Sequence, residues 1–367
     1  MRRRDLVKFG SLAALGALAG CGGEASAPAG ASAVQTGKHF RWRLAMVVPR
    51  TFQLWAPAVE TFAAEVKALS QGRLDIHVQG AGELVGAMQV FDAVKDGTIE
   101  MGHSAAYYWE GKLPGASFFT SVPFGLTASG MTTWLVAGGG QELWDEFYAP
   151  YGLKALPCGN TGIQAGGWFN RPIASVADFA GLKMRMPGLG GKVITRAGAS
   201  AMTLAGDEIF TSLERGVIDA TEWIGPYHDT LRGFPQIASH YYTCGWQEPG
   251  STLELLINKA AWDSLDDELR AIVRICASNT DRLMYAQWMA RDAEAYAALL
   301  KMPKLTVAPY PDAVIRALRP LAQEVLAEVR AATPASAKVH DAYFAFQKQF
   351  NAYQAVGEWP FTRLLEN

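Results

Sequence analysis

Three side chains between residues 159 and 223 carry complementary chemistry: the amide of Gln164, the guanidinium of Arg185 and the carboxylate of Glu222. Arg185 offers two parallel N–H donors, a geometry that fits a carboxylate and that lysine cannot supply. A surface ion pair is the plainer use of an arginine. Glu222 lies between Thr221 and Trp223 at the end of a short apolar run, where burial without a partner is costly. A bound cation removes that cost. Gln164 adds a neutral oxygen, and the backbone carbonyl of Trp223 another. Glu248, in Gly245-Trp246-Gln247-Glu248-Pro249-Gly250, is either a further ligand or a solvated loop carboxylate. Oxygen donors without a cysteine or histidine cluster suit Na+ or Ca2+ better than zinc. Tyr108 either donates its hydroxyl to a ligand oxygen or packs as a core tyrosine, and Asn160 offers one more polar contact. On extended chain Tyr107, Tyr108 and Trp109 alternate in direction, so at most two of them face one cleft. His103 and His228 stand alone and read as packed or solvated side chains.

The surrounding pattern alternates strand and helix. Phe40, Trp42, Leu44 and Met46 alternate with Arg41, Arg43 and Ala45, which predicts a strand with one buried face. Trp55, Val59, Phe62, Val66 and Leu69 recur at helical spacing before Gly72. Leu74 to Val78 predicts a second strand, Met88 to Lys95 a helix, and Ile99 to Met101 a third strand. This is the grammar of a parallel sheet covered on both faces. The helix–Gly–strand phrase of residues 93–100 returns at 212–219, which suggests two lobes of similar build with a site between them. Pro157 to Thr161 and Trp246 to Ser251 are places for the chain to cross between lobes. Beyond residue 260 the pattern is helical over 265–300, 313–332 and 337–355, the last rich in aromatics.

Arg2, Arg3 and Arg4, the apolar run Leu12 to Ala19, and Leu18-Ala19-Gly20-Cys21 read as an export signal too short to span a membrane. Arg3-Arg4 resembles a twin-arginine signal, and the ending at Cys21 a lipoprotein box. Plain cleavage after Ala25-Ser26-Ala27 or Ala31-Ser32-Ala33 is the alternative. Residues 21–38 read as a flexible tether. Of the 367 residues, 33 are basic and 35 acidic; removing residues 1–20 leaves 29 against 34, a net charge of −5. With no basic cluster left, nucleic acid is not an expected partner. Cys158, Cys244 and Cys276 are odd in number and widely spaced, and are expected to be buried apolar residues without a disulfide.

Gly159-Asn160-Thr161-Gly162-Ile163-Gln164, Gly181-Leu182-Lys183-Met184-Arg185, Ala220-Thr221-Glu222-Trp223 with Gly225-Pro226-Tyr227, and Tyr107-Tyr108-Trp109 carry a family resemblance. From about Phe40 onward the chain resembles the solute-binding component of a tripartite ATP-independent periplasmic (TRAP) transporter, of the DctP type. Within that family it is most similar to the branch that binds 2-oxo acids such as pyruvate. The resemblance implies an α/β, two-lobed periplasmic-binding-protein-like fold with crossing hinge strands, a ligand cleft between lobes and long C-terminal helices. The expected division is a signal at 1–20, a tether at 21–38, one lobe from 39–158 and 249–300, a second from 159–248, and a C-terminal helical region at 301–367.

It further implies a small carboxylate ligand held by Arg185, Gln164, Tyr108 and Asn160. A cation, Na+ ahead of Ca2+, would be held by Glu222, Trp223, Gln164 and Glu248. Delivery would be to a membrane permease from the periplasm, with a homodimer through Phe344, Phe346, Phe350 and Tyr353 as a further option and a lipid anchor at Cys21 as another. Two departures stand out: Met186-Pro187-Gly188 replaces a glycine-richer stretch after Arg185, and Gln247 stands where a tryptophan is common. Both put the ligand's side-chain specificity in doubt. A sensor subunit for the same acid, or an exported enzyme on this fold, are the other classes. The second lacks a Gly-x-Ser-x-Gly elbow and a His-Glu-x-x-His run.

Overall fold

The computed structural model describes residues 37–365. The expected signal, its processing at Cys21 and most of the tether lie outside the described residues. From His39 the chain is one compact unit, built on two sheets.

The first sheet joins β1 (Phe40–Met46), β2 (Leu74–Gln79), β3 (Met101–Ser104), β4 (Leu153–Asn160) and β10 (Thr252–Asn258) in the order β2-β1-β3-β10-β4. The first three strands are parallel, as the alternating pattern predicts, but β10 runs antiparallel to both β3 and β4. The reason is topological: β10 arrives from the other lobe and enters the sheet from its opposite end. β1 departs from strict alternation because it is a central strand. Leu44, Ala45 and Met46 are all buried, since helices cover both faces. Against it packs helix Trp55–Leu69, whose buried Trp55, Val59, Phe62 and Val66 form the predicted stripe, while Leu69, at the last turn, is exposed.

The second sheet joins β5 (Gly167–Phe169), β6 (Lys183–Arg185), β7 (Ser200–Met202), β8 (Ala220–Thr221), β9 (His240–Thr243) and β11 (Thr306–Pro309) in the order β11-β9-β5-β8-β6-β7. The C-terminal region is thus more than helical: it supplies the edge strand β11, parallel to β9. Its helices then brace both lobes. On helix Asp312–Ala332, Glu324 accepts from Arg196 of the second lobe at 3.0 Å. On helix Pro334–Gln354, the Tyr343 hydroxyl accepts from the Leu126 N–H at 2.6 Å, and the Tyr343 ring meets Phe118 edge-on at 5.1 Å. Phe344, Phe346 and Phe350 are half-buried against the chain's own core, whereas Tyr353 is 71% exposed.

Helix Asp267–Leu299 runs along the whole body. It packs on β4 and on helix Trp55–Leu69 in the first lobe, and on helix Pro226–Leu231 in the second. Among the described residues no helix is long and apolar enough to cross a membrane.

Candidate functional site

Arg185 and Glu222 meet because their strands are neighbours. β6 and β8 are parallel with Arg185 opposite Thr221, and the Glu222 N–H continues the ladder to the Arg185 carbonyl at 3.2 Å. Both residues therefore sit at the carboxyl ends of adjacent parallel strands, the usual ligand edge of an α/β sheet. Both are buried, with Arg185 1% and Glu222 0% exposed, so the surface ion pair is excluded for Arg185. The two side chains form an ion pair with each other, through Nη1 and Oε1. Nη1 also donates to the Glu222 carbonyl at 3.0 Å. The pairing was not anticipated from the sequence, where the two were assigned separate tasks. Each keeps one side unused: Arg185 Nε and Glu222 Oε2 are buried with no hydrogen-bond partner.

Two crossing segments run side by side between the sheets. The Thr161 N–H donates to the Ser251 carbonyl at 3.0 Å and the Gln164 N–H to the Glu248 carbonyl at 3.0 Å, while the Gly245 N–H returns to the Gln164 carbonyl at 2.8 Å. This pairing brings Gln164 and Glu248 to the same level. Gln164 donates through Nε2 to Thr161 Oγ1 at 3.3 Å, and its Oε1 is buried without a partner. Glu248 is 4% exposed, which excludes a solvated loop carboxylate. It accepts from Ser251 Oγ at 2.7 Å. Asn160 ties the crossing together: its Oδ1 accepts from the Gly162 N–H at 2.7 Å and its Nδ2 donates to Thr252 Oγ1 at 3.2 Å. Gln247, not singled out as a ligand, is also buried. Its Nε2 donates to the Ala165 carbonyl at 2.8 Å and its Oε1 is unpartnered.

The electrostatics follow from burial. Desolvation pushes the Glu222 carboxyl well above its ordinary value; Arg185 opposes the shift, and Glu248 and Asp229 add to it. Glu248 rises to about 7, chiefly by burial, against the opposing hydrogen bond from Ser251 and the charge of Arg185. Burial disfavours the Arg185 cation, but Glu222 and the two tyrosines outweigh it and hold the guanidinium above its usual range. Two buried carboxylates thus share one buried arginine, which leaves an uncompensated negative charge when both are ionised.

Tyr107, Tyr108 and Trp109 are not extended. They form a 3-10 turn, Ala106–Trp109, because the chain must bend at the end of β3. Trp109 turns into the core and donates to Glu254 Oε1 at 2.6 Å. Tyr107 and Tyr108 stay together, edge to face at 4.8 Å. Tyr107 lies beside Gly188, where a Cβ would come within 3.4 Å of its own Cβ. Tyr108 lines a cavity of about 230 Å³ between the lobes, with Val47, Val48, Pro49 and Met88 on one side and Gly206, Trp223 and Arg232 on the other. Trp223 separates this cavity from the buried pair, its ring 5.0 Å from the Arg185 guanidinium carbon. Gly206 has no room for a Cβ, which would lie 2.4 Å from the Trp223 ring.

Sequence reasoning missed a clasp across the same cleft. Phe52 stacks on His228 at 4.6 Å and meets Trp223 edge-on at 5.8 Å. Beside it Gln53 accepts from the Tyr227 hydroxyl at 2.6 Å, and the Gln53 carbonyl accepts from His228 Nε2 at 2.7 Å. No motif marks Phe52; only its position in the loop after β1, at a sheet's carboxyl edge, could have drawn attention to it. His103 is a core residue, accepting from Trp55 Nε1 at 2.8 Å and held near pKa 4 by burial. Cys158 and Cys276 are buried as expected, but Cys244 is exposed. It occupies a left-handed turn at φ 53° that swings its side chain outward.

Among the described residues no three histidine, cysteine, aspartate or glutamate side chains are grouped to hold a metal. The donors here are two carboxylates and two amides. Glu222 Oε2 and Gln164 Oε1, both buried and unpartnered, are the kind of oxygens that a hard cation takes.

Comparison with known proteins points the same way. Residues 44–332 match the family model described as bacterial extracellular solute-binding protein, family 7, DctP. The monocarboxylate 2-oxoacid-binding periplasmic protein of Nostoc sp. (strain PCC 7120) is 39% identical over 98% of this chain and 97% of its own length. A TRAP periplasmic solute-binding protein of Pseudoalteromonas atlantica T6c, solved with sodium and pyruvate, is 40% identical and superposes with a TM-score of 0.86 over 89% of this chain and 99% of its own. One from Colwellia psychrerythraea, solved with calcium and pyruvate, is 38% identical with the same TM-score and the same coverage of both chains. The chain belongs to the DctP family of solute-binding proteins that serve TRAP transporters.

Proposed function

We propose that this protein captures a 2-oxo acid, pyruvate-like in its head group, together with a cation, and hands both to a TRAP permease. The observation that carries the reading is the Arg185–Glu222 pair, buried together with Arg185 Nε and Glu222 Oε2 each left without a partner. A lone structural pair would have its remaining atoms satisfied by the protein. Here one side faces an anion's needs and the other a cation's.

Arg185 binds the carboxylate head, and Tyr108 donates to a ligand oxygen. Asn160 acts beside them by holding the crossing strand in register. Glu222, Glu248, Gln164 and the Trp223 carbonyl hold the cation, which supplies positive charge between two carboxylates and an anchoring point for the acid's oxygens. Na+ leads, because a solved relative at 40% identity carries it with pyruvate. Ca2+ is the alternative, since another at 38% does the same with calcium. Ligand contacts from both lobes favour the closed form as a population shift. The setting is the periplasm, with residues 1–20 removed and Cys21 lipidated as a tether.

The test is calorimetry on residues 22–367 with a panel of 2-oxo acids, in cation-depleted buffer, then with Na+, then with Ca2+. Cation-dependent binding without product formation is expected. Absence of binding across the panel overturns the 2-oxo acid reading.

A further inference from the structure

Arg232 is a cation that the reading above does not use. It lies at the end of helix Pro226–Leu231, lines the interlobe cavity of about 230 Å³, and makes no ion pair among the described residues. Its guanidinium carbon stands 5.4 Å from the Phe52 ring and 5.5 Å from the Trp223 ring. Stacking engages the faces of a guanidinium and leaves the in-plane donors for another partner. The rest of the wall is largely apolar: Val48, Pro49, Met88 and the Trp223 ring. Asp207 also lines the cavity and acts on Arg232 through space, but it is exposed and does not pair with it. Burial holds the Arg232 pKa below its ordinary value, as expected for a partly desolvated charge whose cost Asp207 offsets only in part.

The position matters because Trp223 is shared. Arg185 lies 5.0 Å from the Trp223 ring and Arg232 5.5 Å from it. At most about 10.5 Å, the sum of those distances, therefore separates the two guanidinium carbons. Tyr108 lines that cavity and also acts on the Arg185 charge, so a short ligand anchored at Arg185 would reach Arg232 by passing Tyr108 around the edge of the Trp223 ring.

Resting on the 2-oxo acid reading, we infer that Arg232 reads the far end of the ligand, so that this chain takes 2-oxo diacids of four or five carbons as well as, or ahead of, monocarboxylates. Arg185 holds the carboxylate beside the keto group, and Arg232 pairs with the distal one.

The experiment is calorimetry on residues 22–367 with pyruvate, with 2-oxobutyrate and with the four- and five-carbon 2-oxo diacids, in Na+ buffer. It is repeated on Arg232→Leu and Arg232→Lys. A charge-assisted pair at the tail predicts that a diacid binds at least about tenfold tighter than 2-oxobutyrate. Arg232→Leu then erases that advantage while pyruvate affinity stays within about threefold, and Arg232→Lys retains part of it. If pyruvate binds but no diacid does, or if Arg232→Leu weakens both acids alike, the inference fails and Arg232 only fastens Phe52 to Trp223. If neither acid binds the unmodified protein, the 2-oxo acid reading fails with it.

Discussion

Two buried glutamates, one in each sheet, have the same chemistry and opposite fates. Glu254, on β10 of the first sheet, is 0% exposed. Its Oε1 accepts from Trp109 Nε1 at 2.6 Å and its Oε2 from the Tyr148 hydroxyl at 2.9 Å. Burial raises it to about 7, and both donors oppose the shift. Glu222, just past β8 of the second sheet, is equally buried, but one oxygen goes to Arg185 and the other to nothing in the protein. A carboxylate that serves the fold is saturated by the fold; one that serves a ligand has a site held open. Burial and a shifted pKa mark both residues, so neither separates structure from function. What distinguishes Glu222 is an unsatisfied oxygen that lies beside Arg185 and a second buried carboxylate, Glu248.

That contrast can be broken by substitution. The largest effect is expected from Arg185. Arg185→Ala abolishes binding of the acid, but it also strands Glu222, and losing one member of a buried pair costs about 3–5 kcal/mol. The double variant Arg185→Ala/Glu222→Gln should recover much of that stability in denaturant titrations while still failing to bind in calorimetry. Next, Glu222→Gln should lose cation dependence and weaken acid binding by roughly 10- to 100-fold. Binding that still responds to Na+ or Ca2+ would remove Glu222 from the cation site. Glu254→Gln should do the reverse. Chemical denaturation is expected to show a loss of about 1–3 kcal/mol, with acid affinity unchanged.

The pH response sharpens the comparison further. Glu248, raised to about 7 from 4.5, holds a proton in the folded state that the unfolded chain has already released. Its contribution to stability is therefore complete below pH 4.5 and fades as pH rises through about 7. Glu254 and Asp229, both raised to about 7, slope the same way. In cation-depleted buffer the melting temperature should fall between pH 5 and about 7.5. Added cation should restore it at the upper end, and Glu248→Gln should shrink that restoration. The smallest effect belongs to Tyr108→Phe, where losing one neutral hydrogen bond weakens acid binding about two- to tenfold.

Much of this was legible in the sequence, for reasons that differ by residue. The α/β character follows from periodicity in β1, helix Trp55–Leu69 and β2, where each element is long enough to show its period, whereas the second lobe rested on the repeated helix–Gly–strand phrase and on the family resemblance. Arg185 and Glu222 were found because short motifs flank them. Their direct pairing was not, since it depends on β6 and β8 being neighbours, 37 residues apart in the chain. The bend at Tyr107 was hidden because aromatic triplets carry no strong turn signal. Phe52 and Arg232 were invisible for a related reason: their significance comes from the opposite lobe, and no local pattern encodes a contact of that range.

Helix Asp267–Leu299 gives the molecule a mechanical character. At 33 residues it is about 50 Å long, and it contains neither glycine nor proline. It lies against elements of both lobes, and the crossing segment is pressed onto it. Gly159 faces Met284 and Gly162 faces Met289 so closely that a Cβ at either would collide. A rod without a weak joint does not fold, so it acts as the spine of a book whose covers are the two sheets. In the closure proposed above, the turning would be concentrated in the few peptide units that cross beside it, where Gly159 and Gly162 adopt φ of 156° and 74°. Stiffness in the spine would then set the arc along which the covers swing, and with it the place where Phe52 meets Trp223 and His228.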